Sequence, residues 1–472
     1  MIQLRPYQSE FVSEIHSAFS NGASRVIGVA PTGAGKGRVI CHVARRSFEK
    51  GKRITIVVPR AEILRQVCDG LKDEGVDFGI IRSSTPMRAH VPVQVASIQT
   101  LVKRIGFIPS PDVVMVDEAH HIAAGSYVSM LAEYSHAKVI GFTATPERLD
   151  GKGLGDYFQT MVRGPEVQWL IDNGFLARPE YYAPVTVDVS GVAMRCGDFA
   201  KNELAGIMDK PSIIGDAVKS YRQFANGKTA IAFCVNLKHA RDTADVFNAA
   251  GIKAEVIDGT MDDGERTAIV ERVRTSRTQI LVSCELVGEG FDAPAVGAAI
   301  LLRPTASLGL HLQQLGRCLR PKGDKSGAVI LDHVGNCVRH GLAEESRDWS
   351  LEGASSKRRK PESALETRRC ERCFAVFTGT ICPQCQTVRE SKQREIEIRE
   401  GELAKIEAEK LMEHRQQIVE NAKCRSLADF QALAAKRGYK RGWAWNRWKI
   451  SRWNTRAKDG VSVETNETVG LL

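Results

Sequence analysis

A chain that alternates short apolar runs with helical stretches is confined to few folds, and here the first such run ends in a glycine-rich turn. Ser24 to Ala30 has the β-branched character of a strand, Pro31-Thr32-Gly33-Ala34-Gly35-Lys36 that of a tight loop, and Gly37 to Lys50 the apolar spacing of a helix. The pattern recurs. Arg53 to Pro59 reads as a strand before a helical Ala61 to Glu74, and Val93 to Ala96, Asp112 to Val116 and Lys138 to Phe142 read as further strands. Strands apolar on both faces and joined by helical crossovers predict an α/β fold with a mostly parallel sheet.

A second set follows at Thr229 to Cys234, Ala254 to Ile257, Gln279 to Ser283, Ala298 to Leu302 and Ala328 to Leu331, with helices expected at Leu237 to Ala250 and Gly264 to Thr275. This predicts a second α/β domain of similar size, and 472 residues accommodate two or three domains with cores of their own. The first domain is placed at 1–180 and the second at 181–345, with the junction inside the stretch 146–227.

Three segments carry chemistry. In Ala30 to Lys36 the glycines let backbone N–H groups turn inward around phosphate oxygens, the following helix offers its positive end, and Lys36 reaches the terminal phosphates. The residue after the lysine is Gly37, where a Ser or Thr hydroxyl ordinarily ligates Mg²⁺, so water is expected to fill that position. Asp117-Glu118-Ala119-His120 ends an apolar strand, at the edge where open α/β sheets bind ligands. Asp117 is expected to hold Mg²⁺ through its water shell, and Glu118 to orient and deprotonate the attacking water. Arg317 and Arg320 are three residues apart on a helix expected to begin near Leu310, and so share a face. From the second domain they suit neutralisation of charge on a phosphate bound by the first, although arginines so spaced are also common on exposed helices.

Charge is uneven along the chain. The net formal charge is +10, and residues 351–472 supply +8 of it, from 25 basic against 17 acidic residues. Such a tail suits a polyanion partner or is a solvated charge-rich segment. Within it, Cys370-X2-Cys373 and Cys382-X2-Cys385 form two knuckles eight residues apart, suited to one tetrahedral Zn²⁺ in an element at 367–388. Two disulfides are the alternative, and a reducing compartment argues against them.

A basic linker is expected at 346–366, a charged helix at 389–425 and a basic Trp-rich helical module at 426–456, in which Ser426 and Asp429 cap a short helix ending near Gly438; 457–472 reads as a disordered tail. Four of the six tryptophans lie within eleven residues, among cations. Lys440, Arg441, Trp443, Trp445, Arg447 and Trp448 either meet nucleic acid, by stacking and phosphate contact, or pack as the core of a small hairpin. The N-terminus lacks the pattern of a secretory signal and no long uncharged apolar stretch follows, so a soluble protein in the cytoplasm of a bacterial or phage-infected cell is expected, without a membrane partner.

Taken together, these segments resemble the superfamily 2 helicases and translocases, in particular the DEAD/DEAH-box group of bacterial and phage type, which includes restriction-system helicase subunits and fork-remodelling helicases. Leu4-Arg5-Pro6-Tyr7-Gln8 looks like the family's adenine-reading segment, with Gln8 as the base contact. Pro59-Arg60 and Ser97-Ile98-Gln99-Thr100 resemble its strand-tracking segments, with Arg60, Gln99 and Thr100 as nucleic-acid contacts. Thr143-Ala144-Thr145 resembles the element that couples hydrolysis to domain motion, with His120, Thr143 and Thr145 as the coupling residues. Gly288-Glu289-Gly290-Phe291-Asp292 and Gln313 through Arg320 match the nucleotide-facing segments of the second domain.

The resemblance covers residues 1–345 and implies two tandem RecA-like domains with ATP bound between them. Thr32, Gly33, Ala34, Gly35, Lys36, Gly37, Gly290 and Asp292 would then bind the nucleotide, Asp117 would hold Mg²⁺, and Lys36, Glu118, Gln313, Arg317 and Arg320 would serve catalysis. The implied activity is ATP-driven movement along nucleic acid, DNA before RNA, in replication, recombination or repair, with a protein partner conceivable through the C-terminal module. The rival readings are a nucleotide-responsive clamp impaired by Gly37 and the motor subunit of a restriction-type complex. The intact Lys36, Asp117, Glu118, Arg317 and Arg320 favour the enzyme.

Overall fold

The structure, a computed structural model, describes residues 3–83, 85–148, 151–183, 189, 191–195, 197–208, 211–284, 296–321, 327–353, 367–379, 381–387, 424, 426–437, 444 and 448. The chain forms two compact units, Met1–Arg389 and Glu390–Leu472.

The first unit contains two parallel sheets. In the first, β1 (Arg25–Val29), β2 (Ile54–Val58), β3 (Gly79–Ile81), β4 (Val93–Ser97), β5 (Val113–Asp117), β6 (Lys138–Thr143) and β7 (Thr160–Arg163) lie in the order β3-β4-β2-β5-β6-β1-β7. All the pairings are parallel. Successive side chains of a strand point to opposite faces, and both faces are buried here. Ile54, Ile56 and Val58 share a core with Phe11, Val39, Ile40, Leu64 and Val67 of three helices, whereas Val57 packs with Ile98, Leu101 and Met130 on the other face. The edge strands β3 and β7 are short, and the sequence pattern passes over them.

The second sheet contains β8 (Pro179–Tyr182), β11 (Ala230–Phe233), β12 (Ala254–Ile257), β13 (Ile280–Ser283), β14 (Ala298–Leu301) and β15 (Ala328–Asp332), in the order β12-β13-β11-β14-β15-β8. These strands are also parallel throughout. Because β8 begins at Pro179, the boundary expected after residue 180 falls inside a strand of this sheet. Between β8 and β11 comes a short antiparallel hairpin, β9 (Met194–Arg195) and β10 (Asp198–Phe199), turned at Gly197, whose φ of +82° suits glycine.

Beyond the second sheet, residues 346–353 differ from the expected linker because they pack back on the first sheet's side. Ser346 Oγ donates to Glu166 (2.7 Å), Gly155 N–H donates to the Leu351 carbonyl (2.8 Å), and Trp349 and Leu351 lie against the cluster containing Leu154 and Phe158. The apolar side chains of Trp349 and Leu351 supply the reason. A second hairpin, β16 (Thr367–Arg369) and β17 (Val376–Thr378), covers the β8 edge, with Ala375 bridged to Tyr182 and Ala183 N–H donating to Phe374 O (3.0 Å).

In the C-terminal unit, helix Leu427–Arg437 begins with reciprocal bonds: Ser426 N–H donates to Asp429 (2.8 Å), and Asp429 N–H to Ser426 Oγ (3.2 Å). The charged helix expected at 389–425 and the tail 457–472 lie outside the described residues, apart from Cys424. Among the described residues no helix is long and apolar enough to cross a membrane.

Candidate active site between the two sheets

Helix Lys36–Glu49 starts directly from the glycine loop after β1, so its free N–H groups and positive end face the loop. Gly33 and Gly35 have φ of +89° and +85°, the left-handed region in which a side chain is strained. Lys36 turns into the loop, donating from Nζ to Ala30 O (3.0 Å) and Pro31 O (3.3 Å). Burial holds its pKa below the ordinary lysine value; the carboxylates of Glu118 and Asp117 oppose this, and the guanidinium groups of Arg317 and Arg320 add to it. The five charged groups therefore share one local field.

Gln8 is only 2% exposed, and both ends of its amide are engaged. Its Nε2 donates to Ala34 O (3.0 Å) and its Oε1 accepts from Arg5 N–H (3.0 Å), while Tyr7 OH also donates to Ala34 O (3.0 Å). The first helix thus braces the phosphate loop from behind. Around Gly37 the space is open, since a Cβ there would meet nothing within 4 Å.

Asp117 ends β5, and Glu118 follows in a left-handed conformation with φ of +49°. Glu118 N–H donates to Asp117 Oδ1 (2.9 Å). Burial, reinforced by the adjacent Glu118 and opposed by Lys36, pushes the Asp117 carboxyl up to about 7. From Glu118 a polar chain runs inward: Glu118 Oε2 is 3.4 Å from His120 Nδ1, which is 3.1 Å from Thr143 Oγ1, and that hydroxyl donates to Thr145 O (3.1 Å). The acidic box and Thr143-Ala144-Thr145 are thereby one connected unit.

The second sheet's domain closes this site. Helix Leu308–Gly316 is capped by Ser307, whose side chain accepts from Leu310 N–H (3.2 Å). Its glycines mark close approaches: a Cβ on Gly316 would lie 2.4 Å from Thr32 Cβ, and one on Gly309 3.2 Å from Thr145 Oγ1. The helix ends before the arginines, unlike the expected helical pair. Arg317 is its C-cap and Arg320 lies beyond, because Gly316 is a poor helix former and Pro321 disfavours helical geometry before it. Gln313 and Arg317 are buried, and an ion pair between Arg266 and Glu62 joins the two domains elsewhere.

Known proteins match this arrangement. Residues 1–148 match the family described as type III restriction enzyme, res subunit, and residues 209–322 the helicase conserved C-terminal domain. A 51.5 kDa protein of a Lactococcus phage is 32% identical over 81% of this chain and 82% of its own length. The chain is a superfamily 2 helicase related to the restriction-type helicases. A Saccharomyces cerevisiae protein assigned as the ATP-dependent helicase IRC3 is 27% identical over 70% of this helicase, which spans 51% of that relative. The solved type ISP restriction-modification enzyme LlaBIII, ATP-dependent and bound to DNA, shares its fold with a TM-score of 0.54 at 16% identity, over 70% of this helicase and 28% of that enzyme. ATP and Mg²⁺ are implied by the family.

A cavity of about 810 Å³ opens between the helicase's two domains. The first domain contributes Arg60, His120, Thr145 and Arg148 to its wall, and the second Arg195, Phe199, Arg303, Gln313 and His340. Gln99 and Thr100 do not line it. They start a neighbouring helix, where Gln99 Nε2 donates to Pro59 O (3.4 Å) and Ser97 Oγ bonds Thr100 Oγ1 (3.2 Å), so they border the Pro59-Arg60 turn. Gly290, Asp292, Lys440, Arg441, Trp443, Trp445 and Arg447 lie outside the described residues; Trp448 is described and is half-buried. The sequence reading missed Asp198 and Arg303, whose only local signal is the Gly197-Asp198 turn.

At the β8 edge the four cysteine Sγ atoms of Cys370, Cys373, Cys382 and Cys385 lie within 4.8 Å of one another, with Cys370 to Cys385 at 3.6 Å and Cys373 to Cys382 at 3.5 Å. Four thiolates each about 2.3 Å from one ion would stand about 3.8 Å apart. The two knuckles also repeat one geometry. Phe374 (φ +63°) donates its N–H to Cys370 O (3.0 Å), and Gln386 (φ +55°) donates to Cys382 O (2.9 Å). These residues fit a tetrahedral cation, and all four are free thiols rather than bridged pairs.

Proposed function

We propose that this helicase hydrolyses ATP between its two parallel-sheet domains, which meet near residue 180, and uses the cycle to move along DNA. The observation that carries this reading is the seating of helix Leu308–Gly316 on the phosphate loop, with Arg317 and Arg320 in the field of Lys36. Lys36 and the loop N–H groups would hold the phosphates, Glu118 would take the proton of the attacking water, and Arg317 with Arg320 would neutralise charge in the transition state. Gly290 and Asp292 belong to the same proposal, and so does Gln313, which lines the cleft beside Thr145. Asp117 would hold Mg²⁺, which supplies charge neutralisation on the phosphates when bound. With a glycine at position 37, phosphate oxygens and water complete that shell.

The cations of the cleft, Arg60 and Arg148 from one domain and Arg195 from the other, suit a phosphate backbone. DNA is favoured over RNA because LlaBIII, whose fold is shared, was solved on DNA. The four cysteines are proposed to bind structural Zn²⁺, since all four coordination positions are filled by protein. The Trp-rich module is proposed as an accessory nucleic-acid contact, and the working compartment as a bacterial or phage-infected cell.

The test is ATPase activity with single-stranded DNA, duplex, forked DNA and RNA, for wild type and Glu118→Gln. A DNA-stimulated rate abolished by Glu118→Gln supports the motor. A second reading, a clamp weakened at its metal site, has the missing hydroxyl at Gly37 in its favour; nucleic-acid binding that responds to ATP without turnover would select it.

A further inference from the structure

The hairpin β9–β10 is too short to hold its shape alone, and one carboxylate fixes it. Asp198 Oδ1 accepts from Ala306 N–H (2.7 Å), Phe199 N–H (2.9 Å) and Thr305 Oγ1 (3.0 Å), and its Oδ2 accepts from Arg303 Nη2 (3.1 Å). Phe199 is clamped from the other side by the Arg339 guanidinium, 5.3 Å from its ring centre. On the facing strand, Met194 is 56% exposed and Arg195 lines the interdomain cavity that Arg60 also lines.

The anchor leads directly to the ATP site. Thr305 and Ala306 precede Ser307, and Ser307 N–H donates to Thr305 Oγ1 (3.0 Å) while its own hydroxyl caps the helix that ends at Arg317. Thr305 Oγ1 is thus shared between the Asp198 carboxylate and the cap. Charge-assisted bonds therefore connect the hairpin to the start of the helix that leads to Arg317.

We propose that the β9–β10 hairpin is a contact for single-stranded nucleic acid, with Arg195 meeting a phosphate and Met194 a base face, and that Asp198 is the positioning residue that passes this contact to Arg317. An exposed apolar side chain beside a cation suits a strand that offers both base faces and phosphates. The proposal rests on the reading of the cleft as the nucleic-acid path.

ATPase rates with and without oligo-dT, and oligo-dT affinity by fluorescence anisotropy, are measured for wild type, Asp198→Ala, Asp198→Asn, Arg195→Ala and the double variant Arg195→Ala with Asp198→Ala. The expected result is that Asp198→Ala lowers the stimulated rate by about tenfold more than the basal rate. Asp198→Asn, which keeps an oxygen for Ala306 and Thr305, should lose no more than about threefold, and the double variant should be no worse than Asp198→Ala alone. Equal losses in basal and stimulated rates, or single-variant losses that multiply in the double variant, overturn the coupling role. A wild type that neither binds nor responds to oligo-dT overturns this proposal together with the nucleic-acid reading. Stimulation that survives in Asp198→Ala overturns this proposal alone.

Discussion

At the C-terminal strand ends of the first sheet the charged groups Lys36, on its loop, and Asp117 and Glu118, after β5, are half-buried. At the corresponding ends of the second sheet a set of polar groups centred on Asp332 and Asn336 is buried and bonded together. Asp332, at the end of β15, accepts from the N–H groups of Val334 (3.1 Å), Asn336 (3.1 Å) and Cys337 (2.7 Å). Asn336 in turn bonds Arg303 O (2.9 Å) and Thr305 N–H (3.1 Å), and His340 reaches Thr305 O (2.8 Å). The same architecture thus serves as a bed for ligand in one domain and as a scaffold for one helix in the other. Polar groups meant for a ligand stay available, whereas polar groups meant to position a helix must be satisfied internally.

The largest expected effect breaks the link between the two edges. Arg317→Ala should lower kcat by about 10³-fold, as loss of an arginine finger does, and leave nucleotide affinity within about threefold. Steady-state ATPase assays and fluorescent-nucleotide titration measure both, and a proportionate loss of affinity would instead make Arg317 a ground-state binding group.

Acid should destabilise the scaffold through one buried histidine. Burial holds His333 at about 4, below its ordinary 6.5, so its neutral ring favours folding above pH 6.5 and that contribution is lost as pH falls through 4. The shift corresponds to about 3 kcal/mol. Urea denaturation of wild type and His333→Phe at pH 7.5 and 4.5 checks this, and an equal loss in both proteins would clear His333 of responsibility.

A smaller effect, about 2 kcal/mol, is expected for Asp332→Ala, which orphans three buried N–H groups. The urea midpoint should fall, and a change within about 0.5 kcal/mol would show that the buried edge relaxes without that carboxylate.

The smallest effect sharpens the open edge. Gly37→Thr has room for its side chain and restores a hydroxyl oxygen beside the metal position, so turnover should rise about threefold and half-saturating Mg²⁺ should fall. A Mg²⁺ titration of the ATPase that is unchanged by the substitution would mean that water already serves as well.

Much of the open edge was legible in the sequence, since Lys36 and the Asp117-Glu118 pair are local motifs whose strand, loop and helix context can be read from a few residues on either side. The central strands were legible too, because burial on both faces writes a continuous apolar run. The edge strands β3, β7 and β8 were not, and neither was the hairpin anchored by Asp198, whose partners Arg303, Thr305 and Ala306 lie more than a hundred residues away. The segment 346–353 was misread for a similar reason: its charge suggested a linker, and only the pocket that receives Trp349 and Leu351 gives those two side chains their meaning.

The sequence by itself determined the two α/β halves, the phosphate loop with its missing hydroxyl, and the four-cysteine pattern, because each is set by local periodicity or close spacing. Only the tertiary structure decided that Gly316 abuts Thr32, that Arg317 leaves its helix to share a field with Lys36, and that one aspartate ties a cleft hairpin to that helix. These are distances between residues far apart in the chain, fixed by how two sheets and their helices pack rather than by any neighbouring residue.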